Sequence, residues 1–150
     1  MDQENALRKC RALCARQERC RQELLLKLKG WGTPRPEKVL DQLVKEGFLN
    51  EARFAEDFAV GHFRQKGWGK QMIRAALQAK AVPSSLIQAG LDAIDPAEYT
   101  AALKALVKKR WAQEKEPDPF VREQRVLRYL VGRGWEADDV RSALASVAKR

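Results

Sequence analysis

Cys10 and Cys14 stand one helical turn apart, and with Cys20 and the single histidine, His62, they are the residue types that could ligate zinc. Such sites normally carry a Cys-x-x-Cys knuckle, and the sequence has none. Cys10 and Cys14 also share one side of a helix with Leu7 and Leu13, so the pattern favours buried thiols over ligands. Three cysteines crowded at one end cannot all pair within the chain, which excludes a disulfide framework. His62 falls beside Phe58 on the apolar side of its own segment. Catalysis by histidine needs an orienting acid and a nucleophile, and no residue pattern nominates either. The carboxylates are scattered over helix surfaces and caps. No enzymatic constellation, metal site or cofactor is expected.

A second candidate chemistry is phosphate binding by the basic, glycine-containing stretch Arg64-Gln65-Lys66-Gly67-Trp68-Gly69-Lys70. It lacks the spacing of GxGxxG or GxxxxGK[ST], and no strand pattern precedes it. It reads instead as a helix end. Lys66 offsets the negative end of the helix dipole, Gly67 supplies a C′ residue free to take positive φ, and Trp68 folds back onto a core, as Trp31 and Trp135 would in the similar words "KGWG" and "RGW".

The basic faces are more informative. At about 100° per residue, Arg122, Arg125, Tyr129 and Arg133 fall within an arc of about 80°. Phe120, Val126, Leu127, Leu130 and Val131 take the other side, and Arg128 flanks the arc. A stripe of guanidinium groups with one aromatic suits phosphates or the carboxylates of a protein partner. Lys104, Lys108, Lys109 and Arg110, before Trp111, form a second concentration, and Lys66, Lys70 and Arg74 with Lys80 a third. Each alone reads equally well as a solvated face with i, i+4 pairing. Several together favour a shared binding surface.

Lys plus Arg number 29 against 20 Asp plus Glu, a net charge of +9 over 150 residues. That balance favours nucleic acid, an anionic surface or an acidic protein as partner. No apolar run approaches the ~20 residues of a membrane span, and the N-terminus is too polar for a signal-peptide core. A soluble cytoplasmic monomer is expected.

The elements that must position these residues are helical throughout. Ala, Leu, Arg, Lys, Gln and Glu abound, β-branched residues are sparse, and no alternating strand pattern stands out. Nine segments are expected, at about 4–18, 21–29, 36–46, 51–65, 70–80, 84–93, 96–114, 119–132 and 136–148. Asn50 and Asp95 offer N-caps. Three words align: Leu26 to Trp31, Leu77 to Val82 and Leu130 to Trp135, each with a base three residues after the leucine. An apolar i, i+4 pair follows each word: Val39 and Leu43, Ile87 and Leu91, Val140 and Leu144. The chain therefore reads as an all-α fold of three degenerate three-helix repeats, 1–50, 51–95 and 96–150.

The middle repeat resembles the RecX family. Its words are Gly47-Phe48-Leu49-Asn50, Arg53-Phe54-Ala55, Lys66-Gly67-Trp68-Gly69, Ile73-Arg74-Ala75-Ala76-Leu77 and Lys80-Ala81-Val82. Weaker likenesses at 21–28 and 125–144 extend it over about the whole chain. The sequence departs from the family pattern at Phe63, usually Arg; at Lys70, commonly Pro; at Ala76, usually Glu; and at Ala81, usually Gly. The resemblance implies three tandem three-helix units in an elongated, curved array. It also implies a protein that lodges in the groove of the RecA filament, touching DNA as well in some arrangements, and restrains RecA ATPase, strand exchange and coprotease activities. The residues then expected to meet RecA or DNA are Lys66, Lys70, Arg74, Lys80, Lys108, Lys109, Arg110, Arg122, Arg125, Arg128 and Arg133. The alternative is a helical protein that binds DNA directly, each unit acting as a helix-turn-helix module.

Overall fold

A computed structural model describes residues 1–148, and among these the chain forms nine helices and no strand. They are α1 (Gln3–Arg16), α2 (Arg21–Gly30), α3 (Pro36–Lys45), α4 (Glu51–Lys66), α5 (Lys70–Ala79), α6 (Ser84–Asp92), α7 (Pro96–Gln113), α8 (Pro119–Gly132) and α9 (Ala137–Ala148). The starts follow from side-chain caps. Asp2, Asn50, Asp95 and Asp118 each accept a first-turn backbone N–H, from Asn5, Arg53, Glu98 and Phe120 at 2.8–3.0 Å. Each such cap is worth about 1 kcal/mol. Prolines open α3, α7 and α8, where a missing N–H costs nothing.

The helix ends at the three aligned words share one backbone geometry, which also closes α3 at Gly47 and Phe48. After α2, α5 and α8 the chain closes with the same pair of hydrogen bonds: Thr33 to the Leu28 carbonyl, Val82 to Leu77 and Trp135 to Leu130 form the longer one. Gly32, Ala81 and Gly134 occupy the intervening position with φ of 67°, 59° and 98°. This is the Schellman closure. It corrects the register expected for the first word: Leu28, not Leu26, corresponds to Leu77 and Leu130, and Thr33 takes the place of Val82 and Trp135. Leu26 is 64% exposed, whereas Leu28, Leu77 and Leu130 are buried. Ala81 holds a left-handed conformation that costs an L-residue about 1–2 kcal/mol.

The described chain divides into two compact units. The first comprises Met1–Phe58 with Ala76–Gly90. One of its cores joins Ala6 and Cys10 of α1, Leu24 and Leu28 of α2, and Val39, Leu40 and Leu43 of α3, with Leu49 beyond. Trp31 packs at its edge, half-buried. Cys10 and Cys20 are buried and Cys14 half-buried, all three as free thiols. Burial pushes the Cys10 thiol up to about 11. No set of three or more His, Cys, Asp or Glu side chains among the described residues is placed to hold a metal ion.

Outside that core Arg11 of α1 grips Glu46 at the end of α3 with two parallel bonds, 2.7 and 2.6 Å. The fork holds the Glu46 carboxyl down at about 2, below its ordinary 4.5. A lowered folded-state value means that the clasp stabilises fully above pH 4.5 and is lost as the pH falls from there through about 2. Arg11→Ala is expected to return the Glu46 titration toward the ordinary carboxylate range in an NMR pH series. An unmoved midpoint would show that the guanidinium is not its cause.

The second unit comprises Ala59–Ala75 with the chain from Leu91 onward. Its centre is aromatic: Tyr99 stacks on Trp135 with centroids 4.4 Å apart, and Phe63 approaches both, at 5.5 and 6.2 Å. Phe63 is thus a core residue, 4% exposed. Leu103 and Val107 of α7, Val126 and Leu130 of α8, and Val140 and Leu144 of α9 complete the buried face.

Candidate partner-binding surface

In the second unit the turns "KGWGK" and "RGW" dock on each other. The Gly69 N–H donates to the Arg133 carbonyl at 2.9 Å, and the Gln71 N–H to the Gly134 carbonyl at 3.0 Å. The Trp135 indole donates to the Gly67 carbonyl at 3.0 Å and the Arg133 guanidinium to the Lys66 carbonyl at 3.2 Å. The two glycines let the backbones meet: a Cβ on Gly69 would lie 2.3 Å from the Gly134 carbonyl carbon, and one on Gly134 2.4 Å from the Met72 Cβ. The Lys70 N–H donates to the Tyr99 hydroxyl at 2.9 Å, a bond that a proline at this position could not make. Tyr99 in turn donates to Glu136 at 2.8 Å, and burial keeps the phenol protonated for that task. The opening of α5 is therefore fixed by the turn between α8 and α9.

This clasp fixes where the nearby cations point. Lys66 lies over the Trp68 ring at 5.7 Å, and Trp68 packs against His62 with ring centroids 4.6 Å apart and planes tilted by 45°. The Lys70 ammonium covers the Tyr99 ring at 4.8 Å. Arg74 is half-buried in the same unit, whereas Lys80, also half-buried, belongs to the other. The four residues of this cluster are thus divided between the two units.

The arginine stripe of α8 lies on the flank turned toward α7. Arg122 caps the Trp111 ring at 4.1 Å and donates from Nε to the Trp111 carbonyl at 3.1 Å. That carbonyl lies in the last turn of α7, where backbone acceptors lack helical partners. Arg125 pairs with Glu114 and Glu116, at 3.2 and 3.5 Å, and holds the Glu114 carboxyl below its ordinary range. Arg110 lies over the Tyr129 ring at 3.6 Å. With Arg133 on the Lys66 carbonyl, every member of the stripe already has an internal partner. Lys104, Lys108 and Lys109 of α7 and Arg128 of α8 differ: they are exposed, with no hydrogen-bond or ion-pair partner among the described residues. Lys104 and Lys108 share a helical face, and Lys109 lies about 100° further round. No described group neutralises the charge of these four.

The first unit holds a group that reasoning from the basic clusters did not single out. Lys9 and Arg16 of α1 and Lys27 of α2 surround Trp31. The signal was present as the i, i+3, i+4, i+7 row Lys9, Ala12, Leu13, Arg16, hidden because arginines and lysines are common throughout the chain.

Residues 50–91 match the second three-helix domain of RecX, and residues 97–144 match the third. A regulatory protein RecX from Chromohalobacter salexigens is 31% identical over 135 residues, covering 89% of this chain and 86% of its own. One from Mycobacterium sp. (strain KMS) is 32% identical over 132 residues, 87% of this chain and 72% of its own. Two solved structures share the fold. The crystal structure of a regulatory protein RecX superposes with a TM-score of 0.84 at 22% identity, over 94% of this chain and 72% of its own. That of RecX from Lactobacillus salivarius gives 0.89 at 13% identity, over 99% and 97%. Among the described residues no helix is long and apolar enough to cross a membrane.

Proposed function

The chain belongs to the RecX family, and from that premise we propose that it is a non-enzymatic regulator that binds the RecA nucleoprotein filament and restrains its ATPase, strand exchange and coprotease activities. The observation that carries this reading is the likeness, over most of the chain, to proteins named as RecX regulators. We take it to act as a cytoplasmic monomer with repeat boundaries near residues 50 and 95. The exposed cations Lys104, Lys108, Lys109 and Arg128 are the first contact candidates, because their charge is not spent inside the fold. Arg122, Arg125 and Arg133 contribute through the packing they hold.

The test is a titration of this protein into RecA assembled on single-stranded DNA, with ATP hydrolysis as readout. Hydrolysis is expected to fall with added protein and level off at saturation. A rate that stays flat to large excess overturns the reading. The unpaired cations also support direct DNA binding as a second reading. Tight binding to bare DNA, weakening by roughly 0.9 log units per log unit of salt for each duplex phosphate neutralised, would favour it.

A further inference from the structure

We propose that the first unit carries a pocket for one unstacked nucleotide of a single-stranded nucleic acid, with Trp31 as the stacking platform and Lys9, Arg16 and Lys27 as the phosphate ligands. The pocket is an open groove of about 300 Å³, lined by Lys9, Ala12, Leu13 and Arg16 from α1, Lys27 from α2, and Trp31 just after it. Its lining holds three cations and no carboxylate. Among the described residues none of the three forms an ion pair, although Arg8, Arg11, Arg19, Arg21 and Arg53 of the same unit each meet an acceptor. Arg16 and Lys27 lie in the last turns of α1 and α2, where the helix dipole alone favours a cation. Lys9, in the middle of α1, is placed there by the Trp31 indole, and it must swing off that ring for a base to stack, which brings its ammonium to the phosphate. Its ammonium lies over the Trp31 ring at 5.4 Å.

A half-buried indole beside an apolar wall of Ala12 and Leu13 accepts a flat, weakly polar ring. Three unneutralised cations around it accept the anionic linker that such a ring carries. Bases of a single strand present that combination, because each has a free π-face and a phosphate on either side. A duplex keeps its bases stacked and does not. A carboxylate peptide would satisfy the cations but leave the indole without a ring to stack on. The proposal is independent of the RecA reading, since it concerns binding in the absence of RecA.

The test uses the full chain without RecA and a fluorescently labelled dT12. Lys9→Ala/Arg16→Ala/Lys27→Ala is expected to weaken binding at least ten-fold. With about 0.7 of a counterion released per neutralised phosphate of a single strand, it should flatten the slope of log affinity against log salt by about 2. Trp31→Phe, which keeps an apolar ring at the core edge, should abolish the quenching of protein fluorescence that dT12 produces. Unchanged affinity and slope in the triple variant, or quenching retained in Trp31→Phe, would overturn the pocket. So would an equal loss of affinity for a 12-base-pair duplex in the triple variant, or displacement of dT12 by a glutamate-rich peptide at equal concentration. Failure of this binding with intact restraint of RecA ATPase removes the pocket alone; the reverse outcome removes only the RecA reading.

Discussion

Gly69→Ala is expected to destabilise the second unit by about 3 kcal/mol or more, an overpacking cost at the upper end of the usual range. The added methyl would meet the carbonyl carbon, the carbonyl oxygen and the next amide nitrogen of the Gly134–Trp135 peptide at 2.3, 2.4 and 2.5 Å. These are backbone atoms held by the hydrogen bonds of the clasp, so no side chain can swing aside to make room. Separation of the turns would also strain the bonds from Gly69 to Arg133, from Gln71 to Gly134 and from Trp135 to Gly67. Gly61→Ala is the matched control. Gly61 lies within α4, and a Cβ there meets nothing within 4 Å. Alanine should hold or raise stability, by up to about 1 kcal/mol, since it restricts the unfolded chain and favours the helix. Thermal unfolding separates the two, at about 2–4 °C per kcal/mol for a chain of this size. Equal midpoints for both variants would mean that the turns do not interlock as described.

The clasp also explains why the recurring Gly-Trp word was legible as architecture and illegible as contact. Local physics identifies each glycine as a helix terminator: Gly67 and Gly134 have φ of 68° and 98°. Nothing local says that one terminator packs on the other, because that depends on how α4, α5, α8 and α9 meet. The helices themselves were readable almost residue by residue, since caps and prolines mark their starts and closures their ends. The first repeat word was misaligned for a related reason. Leu26 and Leu28 are both leucines before a Gly-containing turn, and the backbone bond from Thr33 to Leu28, with the burial of Leu28, decides between them.

The basic surface shows the same limit. Helical period puts Arg122, Arg125, Tyr129 and Arg133 on one side of α8; the first three meet the end of α7 and the residues after it, and Arg133 meets the Lys66 carbonyl. Period cannot say what stands opposite. Here it is the end of α7, whose free carbonyl, indole and trailing carboxylates absorb the charge. Phe63 and Lys70 make the converse point. Each departs from the pattern that the family resemblance implies, and each has a partner that accounts for it: Phe63 in the aromatic centre, Lys70 through an N–H that reaches Tyr99.

On the proposed reading that the chain restrains RecA ATPase, charge reversal of Lys104, Lys108 and Arg128 together, each to Glu, is expected to weaken that restraint at least ten-fold in the protein concentration required. That corresponds to about 1.4 kcal/mol of binding. The three side chains are exposed, and no described residue pairs with them, so removal of their charge should change stability by less than about 0.5 kcal/mol each. A loss of restraint at constant unfolding temperature therefore reports on the contact itself. Arg122→Ala supplies the contrast. It strips a stacked guanidinium from Trp111 and leaves the Trp111 carbonyl without its donor, so the unfolding temperature should fall. If the triple reversal leaves the inhibition midpoint in place, this face does not meet the filament. If Arg122→Ala weakens restraint with no change in unfolding temperature, the stripe acts by direct contact rather than by packing, and the assignment of roles between the two sets of cations has to be exchanged.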